Sequence, residues 1–152
     1  MFAGLMHSFR ATSVIPMAVA ASAILAAGCG SAAPATHPVP RVIVVRDNAN
    51  GRTVSVRAGD TLELILSSTY WKVAGSSASR VLRQDGATTL LPRPSSCPRI
   101  PGLGCTPQRT DFKALSSGKA VVTASRTTCG EALACPGRAT KFTLVVIVAA
   151  ST

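Results

Sequence analysis

The sequence predicts an all-β domain, an immunoglobulin-like antiparallel β-sandwich, over residues 41–152. Short segments in this range carry apolar residues at every second position, the period of a strand with one buried face. Gly, Pro, Asn and Asp clusters separate these segments at fairly regular intervals, which is typical of sandwiches. The apolar stripes, together with Trp71, Phe112 and Phe142, form the predicted core. No segment after residue 40 has a helical period.

The clearest strands lie in the first half of this range. A β-branched run at 41–46 precedes a turn that ends in Asn-Gly, and alternating segments follow at 53–57 and 61–66. Residues 86–108 contain five prolines and three glycines, so we expect a long irregular loop there, with a second loop at 127–137. The predicted strands are 41–46, 53–57, 61–66, 69–73, 81–83, 111–115, 120–126 and 140–148.

The N-terminal segment, residues 1–28, has the pattern of a secretory signal peptide. Arg10 precedes an uncharged apolar run, and small residues close that run. A retained transmembrane helix is the alternative interpretation. The run of about 18 residues is at the lower limit for spanning a bilayer, and Pro16 interrupts it as a helix. We therefore expect residues 1–28 to be removed.

The end of this segment, Leu25-Ala26-Ala27-Gly28-Cys29, resembles the lipobox of bacterial lipoproteins. Its Leu stands one position earlier than in the usual form. The resemblance implies a diacylglyceryl thioether on Cys29, cleavage before it, and acyl chains such as palmitate that anchor the protein. Residues 29–40 are then the lipidated cysteine and a flexible Pro/Ala spacer. The expected location is the extracytoplasmic side of the cell membrane; a plain signal peptide with an unrelated cysteine is the alternative.

Four cysteines remain when Cys29 is assigned to lipid. An even number in an exported chain indicates two disulfides, and four cysteines permit three connectivities. We favour the local pairs, Cys97 with Cys105 and Cys129 with Cys135, because each pair lies in one loop that contains Gly and Pro. A four-cysteine zinc site is the alternative, but neither pair has the C-x2-4-C spacing. We expect no bound metal and no other cofactor.

The charge is strongly positive. Of the 16 Lys and Arg, Arg10 alone precedes Cys29, so 15 basic and 6 acidic side chains follow, a net charge of +9. The basic residues are spread singly, so no nucleic-acid partner is expected. Attraction to anionic lipid headgroups or acidic wall polymers suits a tethered exported domain, and a basic surface without any partner is the alternative.

No convergent set of catalytic residues is present, so we expect a protein that is not an enzyme. His37 is the single histidine after Cys29 and lies in the spacer, which excludes Ser-His-Asp and Cys-His arrangements. Ser116-Ser117-Gly118-Lys119 matches the S-x-x-K motif of penicillin-recognising serine enzymes. A Gly interrupts this motif and strands flank it, so we interpret it as a β-turn.

The order of features from Thr53 to Val148 resembles the chagasin-type inhibitors of cysteine peptidases. The residues that carry the resemblance are Val54-Ser55-Val56, Gly59-Asp60, Leu62, Leu64 and Leu66, a Tyr/Trp-bearing segment, Phe112-Lys113-Ala114, Gly118 and the closing apolar strand. The resemblance implies an immunoglobulin-like fold and inhibition of papain-type enzymes through three loops at one end of the sandwich.

The three loops depart from the family motifs. The first motif is Asn-Pro-x-x-Gly-Tyr/Phe-x-Trp, where this chain has Ser67-Ser68-Thr69-Tyr70-Trp71, and Trp71 alone carries over, as a scaffold aromatic. Gly102-Leu103-Gly104 corresponds to the Gly-rich second loop. The third motif, Arg-Pro-x-Trp, is absent, and Arg126 leads into Thr127-Thr128-Cys129-Gly130. The cysteine-bearing loops also resemble those of actinobacterial lipoproteins.

Four side chains are candidate contacts for a partner: Tyr70, Trp71, Leu103 and Leu133. Tyr70 and Trp71 face opposite ways if they lie on a strand; the alternative is a core Trp71 beside a Tyr70 at the loop edge. A loop closed by Cys129 and Cys135 is either a rigid recognition tip or protection against proteolysis.

Three hypotheses follow from the sequence. The first is a membrane-anchored, non-enzymatic envelope lipoprotein whose loops 67–71, 97–105 and 127–137 bind an envelope protein or a cell-wall component. The second is a chagasin-like inhibitor of papain-type cysteine peptidases. The third is a purely structural spacer without a partner.

Overall fold

The computed structural model describes residues 39–130 and 133–151. These residues contain ten β-strands and two short 3₁₀ helices, joined by turns and loops. The predicted all-β class is confirmed. The predicted signal peptide and Cys29 lie outside the described residues. The strands are β1 Val42–Arg46, β2 Thr53–Arg57, β3 Thr61–Leu66, β4 Lys72–Ser76, β5 Leu82–Leu90, β6 Gln108–Ala114, β7 Gly118–Ser125, β8 Thr128–Gly130, β9 Leu133–Ala134 and β10 Lys141–Ala149. The 3₁₀ helices are Asp47–Ala49 and Gly137–Thr140.

Two four-stranded sheets form the sandwich, in the strand orders β1-β3-β6-β5 and β2-β10-β7-β4, and β8 pairs with β9 as a separate hairpin. Each large sheet contains one parallel pair, β1 with β3 and β2 with β10, so the sheets are mixed rather than wholly antiparallel. The reason is the turn at 47–52. It carries the chain from one sheet to the other instead of closing a hairpin between β1 and β2.

Several strand boundaries differ from those predicted. β5 continues to Leu90 instead of ending at Arg83. The prediction stopped early because 86–90 is an exposed edge segment without an apolar stripe. The pairing of β5 with β6 shifts register between Asp85 and Thr89. β4 starts at Lys72 instead of Thr69. The second cysteine loop contains the β8–β9 hairpin rather than irregular structure.

The core lies between the inner faces of the two large sheets. Leu62, Leu64 and Phe112 from one sheet face Phe142 and Leu144 from the other, and all five are at most 1% exposed. Burial of side chains of this size stabilises the fold by about 2 kcal/mol each. The whole core belongs to one compact unit, Thr36–Thr152, which therefore contains the packing needed to fold by itself.

Strand directions determine which connections share an end of the sandwich. The pairings place the connections 47–52, 67–71, 91–107 and 126–140 together, and we call this the loop end. The turns 58–60, 77–81 and 115–117 lie at the opposite end. Within the described residues, no helix is long and apolar enough to cross a bilayer.

Candidate functional site

The loop end contains all three loops that the sequence selects, 67–71, 97–105 and 127–137. They belong to three connections that lie far apart in the chain. The first, 67–71, joins the two sheets, whereas 91–107 and 126–140 each join strands of one sheet. Their positions follow from the strand order, because β3, β5 and β7 all finish at this end. Hydrogen bonds, two disulfides and aromatic contacts join these loops to one another and to the core.

Tyr70 holds the first loop against the second. The Thr69 N–H donates to the Gly104 carbonyl over 2.9 Å, and the Tyr70 hydroxyl donates to the Gly102 carbonyl. Gly104 has φ +65°, and a Cβ there would overlap the Tyr70 ring. A glycine is therefore required twice over, by the left-handed backbone and by the close approach of the aromatic ring.

A disulfide between Cys97 and Cys105 closes the second loop, with the two Cα atoms 6.0 Å apart. Cys97 is buried, whereas Ile100 is 49% exposed. Leu103, one of the sequence-predicted contact residues, is partly exposed between the two glycines that face Tyr70. The closed loop thus presents apolar side chains on a backbone with few alternative conformations.

Trp71 lies in the core beneath the loop end and is 7% exposed. Its ring packs edge-on against Phe142, with the centroids 6.4 Å apart, and its carbonyl accepts a 2.6 Å hydrogen bond from Gln108 Nε2. Trp71 is therefore a scaffold residue, as the family resemblance implies. Its burial removes it from the set of side chains that can face a partner, and Tyr70 remains in that set as a half-buried residue at the loop edge.

Arg126 ties the third loop to the first. Its guanidinium carbon lies 4.3 Å from the centroid of the Trp71 ring, and its Nε donates to the Ala139 carbonyl over 2.8 Å. The Arg126 N–H also donates to the Thr140 carbonyl. One side chain therefore connects the start and the end of the 126–140 connection to the aromatic core.

A second disulfide joins Cys129 with Cys135, with Cα atoms 5.0 Å apart. Both disulfides are the local pairs favoured by the sequence. The Cys135 N–H donates to the Thr127 carbonyl over 3.1 Å, which holds the base of the hairpin. Leu133, the remaining predicted contact residue, belongs to β9 in this hairpin.

Sequence reasoning missed the fourth connection, 47–52, which it treated only as a turn. The Asn50 side chain donates to the Lys141 carbonyl and accepts from the Thr143 N–H, both over 2.9 Å. The Asp47 carboxylate accepts from the Ser67 N–H over 2.9 Å. The Asp and Asn side chains of this turn were the available signal, since both residue types bond backbone groups of neighbouring segments.

The loop end is basic. Among the described residues of its four connections Asp47 is the one acid, and its carboxylate already bonds a backbone N–H. The basic side chains that the structure describes in these connections are Arg52, Arg93, Arg99 and Arg126. A partner surface with acidic groups is therefore favoured electrostatically.

Residues 39–130 and 133–151 contain no histidine and no group of three or more His, Cys, Asp or Glu side chains placed to hold a metal ion. At the opposite end, Asp60 is buried and accepts hydrogen bonds from the backbone of Arg41 and Arg57 and from the Arg41 guanidinium. It acts as a structural turn residue.

Comparison with known proteins places this architecture among solved structures. No family model matches the sequence, and no curated protein matches it. The chain is similar in structure to the cysteine protease inhibitor EhICP2 from Entamoeba histolytica, with a TM-score of 0.52 and 11% sequence identity over 74% of this chain and 99% of that one. The chain shares the fold of this inhibitor.

Two further solved structures are similar at lower scores. Amebosin gives a TM-score of 0.49 with 19% identity, covering 72% of this chain and 99% of its own. The inclusion body protein PixA from Burkholderia cenocepacia gives 0.38 with 13% identity, covering 71% of this chain and 79% of its own. At 11% identity, the similarity to EhICP2 establishes the fold and does not establish what the loops bind.

Proposed function

We propose that this domain is a non-enzymatic, protein-binding module that inhibits papain-type cysteine peptidases through its loop end. The observation that carries the proposal is the convergence of 67–71, 97–105 and 127–137 at one end of the sandwich, with each loop braced to another or to the core. The fold shared with a cysteine protease inhibitor and the chagasin-type order of features support the same function.

Inhibition of this kind needs shape and rigidity rather than catalytic groups. A papain-type enzyme works at the bottom of a cleft, so loops that fill the cleft exclude substrate. Association is opposed by the cost of ordering flexible loops, and rigid loops bind more tightly because that cost is already met in the free protein. Two disulfides, the Tyr70–Gly104 contact and the Arg126–Trp71 stack supply this rigidity.

We further propose that the domain works at the outer face of a membrane, tethered through lipid on Cys29. The support is the sequence pattern of residues 1–29, together with a spacer that separates the anchor from the first strand. An intact mass of the membrane-extracted protein tests the anchor. Loss of residues 1–28 with added acyl mass is expected; a soluble, unacylated exported form would contradict it.

The inhibition is tested with residues 30–152, which include the complete core, against several papain-type peptidases. Competitive inhibition is expected, and it should be lost when the loops are loosened by the double variant Cys97→Ser/Cys105→Ser. A matched control is Ser116→Ala at the opposite end, which should inhibit like the wild type. Full peptidase activity with every enzyme in the panel would refute the inhibitor proposal.

A second candidate function is binding of an envelope protein or a cell-wall component without inhibition. It is favoured by the departure of the loops from the inhibitor motifs, most clearly the missing Arg-Pro-x-Trp after Arg126. Crosslinking in intact membranes separates the two functions. A partner that is recovered there and is not a peptidase, combined with absence of inhibition, supports the second function.

A further inference from the structure

A cavity of about 450 Å³ opens beside Tyr70, between the end of β5 and the first cysteine loop. Its volume falls within the range of small ligand-binding clefts, about 300–1,000 Å³. Three segments form its wall, the first loop, the residues that follow β5, and the cysteine loop. The side chains that define its character are Tyr70, Leu90, Arg93, Arg99, Ile100 and Thr106.

Two guanidinium groups line this cavity, and neither has a carboxylate partner among the residues that the structure describes. Neither Arg93 nor Arg99 forms an ion pair with any acid in residues 39–130 and 133–151, whose ion pairs involve Arg41 and Arg109. The Arg93 side chain makes one long hydrogen bond, 3.5 Å, to the Pro98 carbonyl. Guanidinium groups bind carboxylates through paired N–H donors, so two of them in one cavity favour an acidic ligand.

Apolar surface lies between these charges. Leu90 is 65% exposed and Ile100 is 49% exposed, and both line the same cavity. Large apolar side chains grouped on a surface mark interaction sites, whereas isolated ones are ordinary. The cavity therefore combines cationic and apolar contacts within reach of a single short segment.

We propose that this cavity is a docking site for an extended acidic segment of a protein partner, in which carboxylates flank an apolar side chain. The carboxylates pair with Arg93 and Arg99, and the apolar side chain covers Leu90 and Ile100. The concave shape favours a peptide over a lipid bilayer, because a flat surface reaches only the rim. The cavity shares residues of 67–71 and 97–105 with the surface proposed to bind a peptidase. The proposal goes beyond peptidase inhibition because it assigns the chemistry of the segment that this cavity binds, whether or not the partner is a peptidase.

The test measures binding of one defined probe to residues 30–152 by fluorescence polarisation, with no peptidase present. The probe is a fluorescein-labelled, amidated heptapeptide, Gly-Ser-Glu-Leu-Glu-Ser-Gly. The double variant Arg93→Gln/Arg99→Gln should weaken its binding at least tenfold. The matched control Arg80→Gln/Arg83→Gln removes two exposed arginines outside the cavity and should change the affinity less than twofold.

Control probes define the results that overturn the proposal. Equal binding of the peptide with Gln in place of both Glu would exclude carboxylate recognition, and equal binding with Ser in place of Leu would exclude the apolar contact. Equal weakening of peptide binding by both double variants would show that the peptide responds to the net charge of the domain and does not bind in this cavity. Absence of peptide binding, with Arg93- and Arg99-dependent binding to phosphatidylglycerol vesicles, would assign the cavity to lipid instead.

Discussion

The Arg126 guanidinium stacks over the Trp71 indole at 4.3 Å from the ring centroid. The two residues are 55 positions apart in the chain, and each belongs to a different loop. A cation over an aromatic face is stabilised by the ring quadrupole, more strongly where water is excluded. This stack therefore couples the position of the third loop to the aromatic core that also supports the first.

Arg126→Gln should lower the free energy of unfolding by about 1–2 kcal/mol, because it removes the cation–π contact and the Arg126 hydrogen bond to Ala139. Trp71 is the single Trp in the sequence, so urea denaturation followed by its fluorescence reports on both the site and the fold. Arg52→Gln, which removes an exposed charge from the same end, is the matched control. A loss of the same size in both variants would contradict a specific role for Arg126.

Gly104→Ala should destabilise the domain by about 2–4 kcal/mol, because the new Cβ overlaps the Tyr70 ring and the backbone has a positive φ. Gly86→Ala is the matched control: Gly86 has φ +78° and open space around the position of a Cβ, so only the backbone strain of about 1 kcal/mol remains. Thermal denaturation by circular dichroism measures both. Equal losses in the two variants would show that the Tyr70 contact contributes nothing.

Reducing the Cys97–Cys105 disulfide should loosen the loop end more than it destabilises the fold. A loop of this length restricts the unfolded chain by an amount worth about 2–3 kcal/mol. At short exchange times, before global unfolding contributes, Cys97→Ser/Cys105→Ser should exchange faster than the wild type in 91–107 and at the wild-type rate in β7 and β10. Uniformly faster exchange across the sandwich would mean that this disulfide supports the whole domain.

Asp60 should make the free energy of unfolding depend on pH in the acidic range. Burial by itself raises the pKa of the Asp60 carboxyl, but N–H donors of the Arg57 and Arg41 backbone and the Arg41 guanidinium outweigh it and hold the pKa below the ordinary 3.8. Since the carboxylate is favoured in the folded state, its contribution is complete above about pH 4 and is lost as the pH falls through the lowered value.

The variant Asp60→Asn checks this dependence. At pH 7 it should lower the free energy of unfolding by about 2 kcal/mol, the scale of hydrogen bonds to a charged group. Its stability should then fall less steeply than that of the wild type between pH 4 and pH 2. The exposed Asp85→Asn is the control, and parallel pH curves for wild type and Asp60→Asn would contradict the assignment.

The period-two pattern was sufficient to predict the fold class, because alternation such as Leu62, Leu64 and Leu66 determines which face of a strand is buried. It could not predict the parallel pairing of β1 with β3. That pairing depends on the path of 47–52 between sheets, which no alternation records. It also missed the second half of β5, where edge residues such as Thr88 and Thr89 are exposed and carry no apolar stripe.

In the candidate site, too, local sequence patterns predicted some features and missed others. Cysteine parity and loop composition indicated both disulfides and the two cysteine loops, since these signals are local in the sequence. Residues 67–71 were selected through the family resemblance, and the local pattern wrongly placed a strand at 69–73. The Arg126–Trp71 stack, the Tyr70–Gly104 contact and the Asn50 bridge to β10 join residues distant in the chain. Contacts of this kind follow from the tertiary arrangement, and no local pattern specifies them.

Hydrogen exchange of residues 30–152 with and without papain tests whether the loop end is the surface that binds a papain-type peptidase. We expect slower exchange with papain in 67–71, 97–105 and 127–137, and unchanged exchange in the turns 58–60, 77–81 and 115–117. Protection confined to those opposite turns or to the sheet faces, or no protection anywhere, would contradict it.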